Sequence, residues 1–196
     1  SRTLAAWGNS IAHQFMHSVL QFVSNYSTSA RQQIDFAWNG KHATEFEDSN
    51  QQFRWEVAKH CIAVPETSSP LLLEHLFLAD AAWCAQAWGA PAHFAQLGSA
   101  LLTRGEEAAL EPFSDGFTRS FDTFGACHSI QLAEPLRARL AAHASTLLSR
   151  AIEVRHRKRL EGVLELLNKM ESGTASKGWA TVSPGTPIKN LRVIWP

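Results

Sequence analysis

Pro70-Leu71-Leu72-Leu73-Glu74-His75-Leu76-Phe77-Leu78-Ala79-Asp80-Ala81-Ala82-Trp83-Cys84-Ala85-Gln86-Ala87-Trp88 is apolar on every face of a helix and runs into Gly89. Ser69 suits the N-cap, Pro70 the first helical position and Gly89 the residue just past the end. A helix with no polar face needs other helices or lipid around it. Glu74, His75 and Asp80 argue against lipid, because a carboxylate near a bilayer centre costs about 2.5–3.5 kcal/mol. The segment therefore reads as the central helix of an all-α protein. Glu74 and Asp80 lie roughly 240° apart around it and cannot share one face. Each is expected to be neutralised by a partner from a different helix, or held protonated, which favours a structural ion pair over a shared acid/base site.

Working outward, Leu4, Trp7, Ile11, Phe15, Val19 and Phe22 recur every three or four residues and predict an amphipathic helix ending at Ser24-Asn25. Ser29 and Gln32 have capping-box spacing and predict a second helix through Ile34, Ala37 and Trp38 to Gly40. A third is predicted from Ala43 to Val64, with Phe46, Phe53, Val57 and Cys61 on one stripe and Pro65 closing it. After the buried helix, Pro91 opens a fifth that runs to Gly105. Its mid-helix Gly98 costs up to about 1 kcal/mol and implies a close helix crossing. An acidic turn from Glu106 to Glu111 leads to a helix carrying Phe113, Phe117, Phe121 and Phe124, stopping at Gly125. Two more helices follow, Leu132–Val154 and His156–Met170. The stripe of Leu136, Leu140, Leu147 and Ala151 loses phase near Arg155 and resumes at Leu160, Val163 and Leu167, which marks a bend.

The pattern predicts an all-α fold: an antiparallel multi-helix bundle or short helical array with one central buried helix and an extended C-terminal tail. Residues 1–171 read as a single all-helical domain. Residues 172–196 read as a flexible linker, Ser172 to Gly178, followed by a β-prone tail. Leu191, Val193 and Trp195 give that tail enough apolar surface to dock on the helical body or on a second chain, which would make a homodimer. No repeat of the tetratricopeptide type is present, since nothing similar to Leu97–Phe113 recurs about 34 residues away.

Lys plus Arg equal Asp plus Glu at 18 each, so no whole-molecule field draws in nucleic acid or anionic lipid. The balance is local, however. From Pro65 to Arg150 acids outnumber bases nine to five, and from Ala151 onward bases outnumber acids eight to four. Cys61, Cys84 and Cys127 each sit in an apolar helical context without metal-binding spacing. They read as buried reduced thiols and favour a cytoplasmic setting. The first residues show no signal-peptide pattern, and with Ser1 at the start a trimmed leader stays open.

His13 and His17, one helical turn apart, can hold one metal ion if a third ligand comes from elsewhere. By helical phase they lie nearly opposite the Leu4–Phe22 stripe, on a face that suits solvent or a partner helix. Gln14 stands where a zinc protease carries its glutamate base, so that chemistry is excluded. Glu56 and His60 have the same spacing, and His60 falls beside Cys61 on an apolar side. Arg155-His156-Arg157-Lys158-Arg159, with Arg150 one turn before, is the basic cluster. Five consecutive residues wrap a helix and form no single stripe, which weighs against nucleic-acid binding. Trp55 lies off its helix's main stripe, and with Trp195, Arg155, Arg157 and Arg159 it is a candidate contact for a partner. No phosphate loop or nucleophile elbow is present, and no cofactor is implied. The leading expectation is a cytoplasmic helical protein that binds another protein and spans no membrane. Its rivals are a metal-dependent helical-bundle enzyme using His13 and His17 with His60, Glu56, Glu74 or His75, and a nucleic-acid-binding protein using Arg150–Arg159.

Overall fold

The buried segment sits at the centre of the architecture, packed on four other helices. The computed structural model describes residues 14–171, which form an all-α bundle. The helices are α1 (residues 14–24), α2 (Gln51–Ala63), α3 (Pro70–Cys84), α4 (Phe94–Gly105), α5 (Leu110–Phe117), α6 (Phe121–Cys127), α7 (Glu134–Arg150) and α8 (Val154–Glu171). The N-terminal segment to His13, the linker and the tail with Leu191, Val193 and Trp195 lie outside the described residues.

α3 starts where Ser69 Oγ accepts the Leu72 N–H at 3.1 Å and Pro70 fills the first turn. Leu72, Leu73, Leu76, Phe77 and Ala81 are fully buried, and α2, α4, α5 and α6 all pack against this helix. Phe77 sits inside a run of nearly parallel rings: Phe94 at 4.7 Å, Phe113 at 5.3 Å, then Phe117 and Phe124 beyond. Two glycines make room for it. A Cβ on Gly98 of α4 would lie 3.1 Å from Phe77 Cε2, and one on Gly116 of α5 would lie 2.5 Å from Phe77 Cε1. Where a close helix crossing was expected at Gly98, the atoms packed against it are side chains of Phe77, Phe113 and Ile130. α7 and α8 pair along their lengths, and α8 also packs on α5, closing that side of the core. The bend expected near Arg155 falls at residues 151–153, between α7 and α8.

Several expected boundaries are wrong, each for a local reason. The predicted helix from Ser29 to Gly40 is only a 3-10 turn over Thr28–Gln33 followed by irregular chain. Side chains take over its backbone groups: Asp48 Oδ1 accepts the Ala37 N–H at 3.0 Å, and Asn50 Nδ2 donates to the carbonyls of Gln32 and Asp35 at 2.9 Å. The third helix begins at Gln51, not Ala43, because Asp48 and an isolated bridge between Trp38 and Asp48 hold residues 37–50 as a loop. Pro91 precedes α4, which begins at Phe94. The four-phenylalanine helix is two helices. Ser120 Oγ accepts the Thr123 N–H and Thr123 Oγ1 accepts the Ser120 N–H, a capping box that starts α6 afresh.

The most consequential correction concerns Trp88. α3 ends at Cys84, and the chain tightens into turns through Gln86 N to Trp83 O at 3.0 Å and Gly89 N to Ala87 O at 3.2 Å. Gly89 has φ +133, a conformation side-chain-bearing residues rarely adopt, and turns the chain. Trp88, expected in the core, is left 97% exposed.

Candidate functional site

Asp80 must be satisfied inside the bundle, and the residues that do so assemble a buried polar cluster. Arg54 of α2 donates from Nε to Asp80 Oδ1 at 2.7 Å and from Nη2 to Asp48 Oδ2 at 2.7 Å, with all three side chains fully buried. Trp55 Nε1 donates to Asp80 Oδ1 at 3.1 Å, and His93 Nε2 lies 2.8 Å from Asp80 Oδ2, to which it donates. Asp48 Oδ1 accepts the Ala37 and Asn50 amides. Burial works against the charge on Arg54, but Asp80 and Asp48 outweigh it and raise its pKa further. Every carboxylate oxygen here already accepts a hydrogen bond. The cluster therefore orients an imidazole and clasps the 37–50 loop to α2 and α3, and it offers no committed nucleophile.

Aromatic rings cover this cluster. Trp55 meets Trp83 at 5.3 Å and His93 at 5.6 Å, Trp83 meets Phe46 at 6.0 Å, and Phe46 continues to Phe36 and Trp38. These rings other than His93 are half-buried. The indole N–H groups are spent internally, Trp38 on Lys41 O at 2.7 Å, Trp83 on Gln51 Oε1 at 3.1 Å and Trp55 on Asp80. What remains available is ring surface. A cleft of about 380 Å³ opens beside it, lined by Phe46, Glu47, Asp48, Gln51, Trp55 and Glu56 among others. Trp55 thus belongs to the rim of a structural cluster, with one edge committed to Asp80.

A second cleft, of about 540 Å³, lies between the end of α5 and the start of α8 and is lined by Asp115, Thr118, Arg119, Arg155, Lys158 and Arg159. The five-residue basic run forms no single stripe, but three of its members line this cleft. Arg155, Lys158 and Arg159 stand at i, i+3 and i+4 and share a face. His156 turns aside to the Glu111 carboxylate at 2.8 Å, and Arg157 Nη2 donates to Ala151 O at 2.9 Å. Arg119, remote in sequence, completes the wall.

The remaining expected residues do not converge. His17 is exposed on α1, and its partner His13 lies outside the described residues. Glu56 is held by Lys59 at 2.7 Å rather than by the half-buried His60. Glu74 makes no ion pair among the described residues and is only half-buried, so its expected partner on another helix is not there. His75, by contrast, is buried and receives the hydroxyl of Tyr26 at Nδ1. Burial, reinforced by Arg31, lowers the His75 pKa, and burial raises that of Tyr26 to about 12, so both partners are neutral and the phenol donates. Among the described residues no group of three or more His, Cys, Asp or Glu is arranged to hold a metal ion.

Arg54, His93 and Asp48 escaped the sequence reading. One signal was available: Arg54, Val57, Ala58 and Cys61 form an i, i+3, i+4, i+7 set, and these four are the buried face of α2. Compared with known protein families, curated proteins and solved structures, the chain matches none.

Proposed function

We propose that this chain works by binding another protein, with Trp88 as an anchor of the contact. The observation that carries this reading is the 97% exposure of an indole in the turn that follows the central helix α3. A tryptophan in water gains nothing from its apolar surface, whereas docking it buries on the order of 150–250 Å². Tryptophan is also enriched among the few residues that dominate binding energy. The half-buried ring surface of Phe36, Trp38, Phe46, Trp55 and Trp83 supports the same reading. Three free, buried cysteines support a reducing, cytoplasmic setting. Among the described residues no helix is long and apolar enough to cross a membrane. A second copy of this chain, docking through Leu191, Val193 and Trp195, is one partner this reading admits.

The test is selection of displayed peptides on the wild-type protein, scored against Trp88→Ala. The variant should melt at the wild-type temperature, because the side chain it loses touches little. Selected peptides should bind it at least about tenfold more weakly, as expected for removal of an aromatic anchor. Peptides that bind both proteins equally, or a selection that returns no binder, would overturn the proposal.

A further inference from the structure

We propose that the cleft between the end of α5 and the start of α8 binds a compact phosphorylated ligand through Arg119, Arg155, Lys158 and Arg159. The proposal uses neither Trp88 nor the aromatic surface on which the protein-binding reading rests, and it takes Arg155 and Arg159, first read as partner contacts, as ligands of an anion. Four cations line this cleft and Asp115 is its one carboxylate. Asp115 is already engaged, with Oδ1 2.9 Å from Arg159 Nη1 and Oδ2 3.9 Å from Arg119 Nη1. Arg155 and Lys158 make no ion pair among the described residues.

Two features of this arrangement are unfavourable on their own and are relieved by an anion. Like charges at i, i+3 and i, i+4 repel along a helix, and Arg155, Lys158 and Arg159 occupy those positions. The positive end of a helix macrodipole favours acids in the first turn, yet the first turn of α8 has none and carries Arg155. A phosphoryl group supplies negative charge and several acceptor oxygens to a planar fork built to receive them. The cleft volume also has room for the body of a small molecule attached to that group.

The geometry favours a single compact anion over a nucleic acid strand. A strand binds by several phosphate contacts along its length. Here the cations converge on one hollow, and the two neighbouring basic residues that could extend the track are diverted, His156 to Glu111 and Arg157 to Ala151 O.

The probe is inorganic pyrophosphate titrated into the isotopically labelled full chain, followed by amide shifts. Saturable shifts clustered at residues 115–119 and 154–160 are expected. Lys158→Glu should weaken binding by about tenfold or more without lowering the melting temperature, since Lys158 is exposed and unpaired. Arg150→Ala, on the neighbouring α7, should leave it unchanged. Vesicles doped with a phosphoinositide separate the two sources of such a group. Cosedimentation lost in Lys158→Glu assigns the ligand to a lipid headgroup, and pyrophosphate binding without cosedimentation assigns it to a soluble metabolite. A linear, unsaturable response, or binding indifferent to Lys158→Glu, overturns the site. So does a single-stranded RNA that displaces pyrophosphate with a salt dependence of several phosphates.

Discussion

Arg54 is a guanidinium without solvent contact, held between two equally buried carboxylates, and its removal should expose how much the fold depends on charge pairing. Breaking a buried pair by deleting one member leaves uncompensated charge and costs about 3–5 kcal/mol. Arg54→Met should therefore lower stability by about that amount in denaturant unfolding, with the same m-value. Adding Asp48→Asn and Asp80→Asn to Arg54→Met should recover part of the loss, because the orphaned charges go with it. A triple variant less stable than Arg54→Met would show that these carboxylates serve mainly their amide and indole donors. His75 makes a pH-dependent counterpart. Its folded pKa lies below the ordinary 6.5, so the unfolded chain binds the proton more readily. Its contribution is fully present above the ordinary histidine range and is lost as pH falls through that range to the lowered folded value. Melting temperatures measured from about pH 8 to about pH 5 should fall less steeply in His75→Phe than in the wild type. At this scale the sequence announced the need and concealed the answer. Asp80 in an apolar helix demanded a partner, and it has three. Glu74 made the same demand by pattern alone, but the packing leaves it half-exposed, so the demand never arose.

Helices with strong periodicity were legible as elements, and those whose ends depend on side-chain hydrogen bonds were not. α4 and the α7–α8 bend follow from apolar phase, and α3 from an unbroken apolar run opened by Ser69 and Pro70. The loop from Gly40 to Asn50 does not, because Asp48 and Asn50 redirect backbone groups that periodicity assumes will pair within a helix. α5 and α6 share one phenylalanine stripe and still break at Ser120. Ser120→Ala removes the acceptor for the Thr123 amide and should cost about 0.5–2 kcal/mol, with loss of hydrogen-exchange protection confined to α6. Gly116→Ala tests a different property of the same region. The added methyl meets Phe77 Cε1 at 2.5 Å in a stack of rings with no slack, so overpacking by about 1–3 kcal/mol should outweigh alanine's better helix propensity. Gly125, where a Cβ meets nothing within 4 Å, is the control: Gly125→Ala should be neutral or stabilising. The basic cleft shows the limit of reading one element at a time. Its α8 face was visible in the order of residues, whereas Arg119 joins it only because α5 and α8 pack together.

Across the whole molecule, one core cluster runs from Val19 of α1 through Phe77 of α3 to Leu167 of α8. The chain should therefore unfold as a unit despite the long loop before α2. The three cysteines sample this core from separate helices, Cys61 on α2, Cys84 on α3 and Cys127 on α6. Burial raises the pKa of each thiol, so none reacts as a thiolate while the fold is closed. Alkylation then reports opening, residue by residue. In sub-denaturing urea, mass spectrometry should show all three thiols labelled at one common rate that rises with denaturant in proportion to the global m-value. The loop from residue 34 to 50 tests that expectation hardest, because it is fastened to the body through Asp48 and Arg54. If those ties are a local fastening only, α2 opens without the rest, and Cys61 is labelled faster than Cys84 and Cys127 with a shallower denaturant dependence. The Arg54→Met variant discriminates further. In a cooperative bundle it accelerates all three thiols equally, since the loss is felt in the global equilibrium. In a bundle with a detachable α2 it accelerates Cys61 alone, and the single-domain reading of residues 1–171 would have to be given up.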